Sequence, residues 1–70
     1  TMEPSTTVAL AGKEAEQMLR LAVDLEKQSV LFYLGLKDIA PPESTGAIDA
    51  IIGEEKSHIA TLMGEIKKLG

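Results

Sequence analysis

Tandem prolines at Pro41-Pro42 divide this chain of 70 residues into two stretches that cannot be one helix. Proline has no N–H to donate, and it disfavours helix in the residue before it. Ahead of the break, Ala15, Leu19, Ala22, Glu26, Ser29, Tyr33 and Leu36 step alternately by four and three residues. That spacing traces one face of a helix. Met18, Leu25 and Phe32 widen the stripe on one side, and Val23 and Val30 lie further round. Beyond the break the stripe is Ile48, Ile51, Glu55, His58, Leu62, Glu65 and Leu69, widened by Ile52, Ile59 and Ile66. The spacing predicts helices from near Lys13 to Lys37 and from near Gly46 to Leu69, with Asp38–Ser44 as the connection. Ser44 or Thr45 can cap the second helix, and Lys67 and Lys68 in its last turn suit the helix dipole.

Two long helices on a short loop make an antiparallel hairpin, so the expected fold class is all-α. Residues 1–12 carry Pro4, a Ser-Thr-Thr run and no periodicity, and read as a flexible N-terminal arm ahead of a helical hairpin over 13–70. A hairpin this small leaves much apolar surface uncovered, so a dimer or higher oligomer is expected, with the two hairpins forming a four-helix bundle. A net charge of −4 argues against nucleic acid as a main partner. The chain has no cysteine, which excludes disulfides and thiolate metal ligands. Uncharged runs are short: Gln28–Leu36 has nine residues, against roughly 20 for a membrane span. With no signal-peptide pattern either, the cytoplasm is the default expectation.

Three ionisable residues stand on the apolar stripes. Glu55 and His58 are three apart, so both can reach one metal ion from a single helix face. Glu26 is the charged member of the first central stripe. Buried carboxylates are costly unless something positive compensates them. The midpoint of positions 26 and 55 falls between Ala40 and Pro41, inside the loop, so Glu26 and Glu55 sit at nearly one height in the hairpin. Two such hairpins would bring together four carboxylates and two imidazoles, enough charge for two divalent cations.

The stretches Leu21–Tyr33 and Ile51–His58 resemble the ferritin-like superfamily, and within it the rubrerythrin-like branch. The resemblance covers about two thirds of the chain and implies a dinuclear iron centre. In that family one Glu comes from each of two helices and a Glu-x-x-His from each of the other two. The implied metal ligands are Glu26, Glu55 and His58, with Tyr33 beside the metals. Manganese or zinc fit the same donor set. The implied activity is oxidation of Fe(II) or reduction of peroxide, with a redox partner of unknown identity. The departure is length: family members usually carry four helices in one chain. Two readings stay open, a half-ferritin that dimerises, as encapsulated ferritins do inside a protein compartment, or a piece of a longer rubrerythrin-like protein. The cysteine module of full rubrerythrins is absent.

Each residue also has a plainer reading. Glu26 could be a boundary residue reaching water, and a lone His58 more often packs than ligates. Glu54 reads as a solvated flank and Glu65 as a solvated end. Gly53, Ser57, Ala60 and Gly64 form a ridge of small residues that either admits another helix or faces water. The rival function is a non-catalytic helical oligomerisation module, with a structural metal or none.

Overall fold

The computed structural model describes residues 4–69, with side chains from residue 12. Among these residues the fold is all-helical. Helix α1 spans Pro4–Ile39, a single 3₁₀ turn spans Pro42–Ser44, and helix α2 spans Thr45–Leu69. The two helices fold back on each other as a rod of 58 × 17 × 15 Å. No helix is long and apolar enough to cross a membrane.

Both helices end where backbone chemistry requires. The Ala40 N–H still bonds the Leu36 carbonyl at 2.9 Å, and Pro41 then ends the ladder. Pro41 is extended, with φ −58° and ψ 147°, the region to which the ring and the following proline confine it. The Ser44 N–H bonds the Pro41 carbonyl at 2.9 Å, which closes the reversal. Thr45 does not act as the expected cap acceptor. Its hydroxyl donates to the Pro42 carbonyl at 2.8 Å and braces the turn from within.

At the other end, α1 starts at Pro4 and not near Lys13. Proline suits a first helical position, where its missing N–H would have had no partner, and Ala9-Leu10-Ala11 adds strong helix formers. Thr1–Glu3 of the expected arm lie outside the described residues.

The core is thin. Val23, Ile48 and Ile52 are its buried side chains, each contributing roughly 1.5–3 kcal/mol. Val30, Ile59 and Ile66 flank them, half-buried. On α1 the contact line is rotated from the expected central stripe toward the Val23 and Val30 side, and on α2 it takes Ile48 of the expected stripe together with the widening row of Ile52, Ile59 and Ile66. Ala15 is exposed, and so are Met18, Leu25 and Phe32. The reason is polarity. An all-aliphatic row is available on each helix, and packing those rows together keeps Glu26 and Glu55 out of the middle. A Lys37–Asp49 ion pair of 2.7 Å ties the helices near the turn.

Candidate metal centre

Glu26 on α1 and Glu55 and His58 on α2 converge at the edge of the helix contact. One ligand atom from each lies within 4.8 Å of the other two. The i, i+3 spacing places Glu55 and His58 on one face of α2, and the short turn sets α1 and α2 in the register that brings Glu26 level with them. The three expected ligands are thus brought together, at a half-buried edge and not inside a sealed core.

Their environments differ. The Glu26 side chain is 27% exposed and that of His58 59%. Glu26 Oε2 is buried and has no hydrogen-bond partner. Its nearest cationic candidate is His58 Nδ1 at 3.7 Å, beyond hydrogen-bond length. An unpaired buried oxygen of this kind costs on the order of 1–3 kcal/mol. It is the signature expected where a cation supplies the missing partner. Nδ1 is the imidazole nitrogen nearest the Glu26 carboxylate, so ligation there would leave the ring proton on Nε2. The donor set of two carboxylates and one imidazole fits iron, manganese or zinc.

An open cleft of about 320 Å³ adjoins the cluster, lined by Ala22, Glu26, His58, Thr61 and Leu62. Ala22 is four residues before Glu26 and Thr61 three after His58, so helical spacing could have found both. Ala22 has no bulk to fill the space in front of the carboxylate, and Thr61 is a polar residue of the lining.

Tyr33 is half-buried but does not line this cleft. It lies two turns along α1, in edge-to-face contact with Phe32 at a centroid distance of 5.2 Å. Glu54 is exposed and outside the ligand cluster. Glu65 is exposed and pairs with Lys68 at 3.2 Å. Gly53 and Gly64 face open space, with nothing of this chain near a built Cβ.

Comparison with protein-family models, with curated proteins and with solved structures finds no significant match to this chain.

Proposed function

We propose that two copies of this hairpin associate into a ferritin-like four-helix bundle and hold a pair of iron or manganese ions between them. The observation that carries this reading is the convergence of Glu26, Glu55 and His58 from two helices to within 4.8 Å. The orphaned Glu26 Oε2 supports it independently. Three ligand atoms from one hairpin leave a cation's shell incomplete, because even a closed tetrahedral site takes four. A second copy would complete it and would cover the apolar row that the hairpin leaves bare.

Bound iron in such a centre supplies one-electron chemistry, with Fe(II) yielding an electron to dioxygen or peroxide. The roles of this chain's own residues follow from their positions. Glu26 and Glu55 would hold the cations as carboxylates. His58 would add a neutral imidazole nitrogen. Ala22 and Leu62 place apolar surface beside the cluster in the open cleft. The proposed activity is that of a ferroxidase or a peroxide-reducing oxidoreductase.

Elemental analysis after incubation with Fe(II) or Mn(II) tests the reading. About one ion per chain is expected, with loss of binding in Glu55→Ala and His58→Ala. A protein that takes up no transition metal would overturn it. The bare row also suits a purely associative module. That alternative predicts dimerisation without any gain in Fe(II) oxidation over Glu55→Ala.

A further inference from the structure

We infer that the side of the hairpin turned away from the ligand cluster docks an acidic amphipathic helix of another protein. The contact between α1 and α2 has two edges, and each holds an open cleft. Ala22, Glu26 and Leu62 line the cleft described above, and their next neighbours Val23, Lys27 and Met63 line the other. One residue is about 100° on a helix, so the second cleft, of about 300 Å³, opens on the opposite edge. Its floor is apolar: Val23 is buried, Ile66 half-buried and Met63 53% exposed. Its α1 rim is charged, with Arg20, Asp24 and Lys27.

The positive charge runs on past the cleft. Lys13, Arg20 and Lys27 recur every seven residues on α1, and Lys56, Met63 and Lys67 step by seven and four on α2. Each set shares one helix face. The register that levels Glu26 with Glu55 sets Lys67 level with Lys13 and Lys56 level with Lys27, within two residues. Five of the chain's seven basic residues therefore stand along the two sides of one apolar groove, all of them exposed. Glu16 and Asp24 are the acidic residues on this stretch of the face, and Glu16 accepts a hydrogen bond from Arg20 at 2.9 Å. The two basic residues elsewhere, Lys37 and Lys68, pair with Asp49 and Glu65. Lys13, Lys27, Lys56 and Lys67 form no ion pair among the described residues. In a chain of net charge −4, the cations are thus gathered where they neutralise nothing of their own.

Charge and shape together select the occupant. Cations two turns apart beside an apolar strip match carboxylates that flank the apolar stripe of a helix, the pairing by which coiled coils choose partners. Ala60 and Gly64 follow the α2 border at helical spacing from Lys56 and Met63, and a Cβ built at Gly64 meets nothing. Small side chains there let a third helix approach closely. A phosphate polymer would use the cations but would leave the apolar floor without a partner and would be repelled by Asp24. A helix partner uses all three, with a lysine or arginine of its own set against Asp24. The same face of a second copy would repeat the cations and be repelled. The inference does not depend on the metal centre, because the two clefts share no lining residue.

The probe is a synthetic helix of about three heptads with Leu and Ala on one stripe and Glu on both flanks. Fluorescence anisotropy at low ionic strength should show saturable binding to the full chain. The same composition in scrambled order, or with Lys in place of Glu, should bind at least about 10-fold more weakly. Lys27→Glu combined with Lys56→Glu should weaken the patterned helix at least about 10-fold, and Met63→Glu should do the same. Lys68→Glu, on the side where Lys68 meets Glu65, should change it less than about twofold. If the double Glu variant loses helicity by circular dichroism, Lys27→Gln with Lys56→Gln carries the test. No binding of the patterned helix overturns the proposal, and equal binding of the scrambled one reduces the face to diffuse charge and overturns it too. Tighter binding of inorganic polyphosphate, lost in the same variants, reassigns the face to a phosphate polymer. A change in oligomeric state by light scattering in the double variant would make the groove a contact between copies, and the proposal would fall.

Discussion

Glu26 is the residue at which stability and chemistry pull apart. Its Oε2 atom is buried and has no hydrogen-bond partner, a cost that a bound cation would offset. Replacing it with a similar-sized apolar group should stabilise the metal-free protein. We expect Glu26→Leu to raise the thermal midpoint in chelator by the equivalent of about 1 kcal/mol, while metal uptake falls below detection. A melt that drops in chelator would show that the carboxylate is better satisfied than its geometry indicates. On α2 the expected contrast lies between neighbours. Glu55→Ala should lower metal affinity at least about 10-fold, whereas Glu54→Ala, about 100° further round the helix, should change it less than twofold. Titration with Mn(II) would read both. The convergence of Glu26, Glu55 and His58 was legible in the sequence because a charged residue on an apolar stripe is conspicuous and helix spacing fixes which of them share a level. The solvent exposure of His58 was not legible. Periodicity identifies a face, but not how far the face turns toward its neighbour.

The two helices illustrate that limit at the next scale. Their lengths around Pro41-Pro42 follow from proline chemistry and from apolar spacing, so the hairpin and its turn could be read directly. The contact line could not, because two adjacent apolar rows on each helix compete for it. On α1 the row of Val23 prevails, and on α2 Ile48 of the expected stripe shares the contact with Ile52 of the widening row. Ile52→Ala should consequently cost about 2–4 kcal/mol, measured by denaturant unfolding at fixed protein concentration. Leu69→Ala, at the exposed end of the expected central stripe, should cost well under half of that. The glycines of α2 give a second test. A Cβ at Gly53 or Gly64 would meet nothing of this chain, so each Gly→Ala change should add roughly 0.5–1 kcal/mol through helix propensity alone. A loss of stability on Gly53→Ala would mean that another helix approaches that ridge in solution.

Taken whole, the molecule is a rod 58 Å long and only 15–17 Å across, with an aliphatic core of a few side chains. Such a shape has little interior. If the proposed dimer forms, unfolding should depend on protein concentration, because association would then supply much of the buried surface. A tenfold dilution that leaves the thermal midpoint unmoved would argue for a self-sufficient monomer. The all-α class and the hairpin were legible at this scale, whereas the number of copies is a property of surfaces that one chain's periodicity does not contain. The distribution of the ligands has a further consequence. All three reside in one hairpin, so in the proposed dimer each gene copy encodes half of a shell and every lesion appears twice in a homodimer. Mixed chains behave differently. Random pairing of equal amounts of intact and Glu55→Ala protein would leave roughly a quarter of dimers with two sound halves. The centre would therefore respond to the dosage of a defective allele more steeply than an enzyme whose site lies within a single chain.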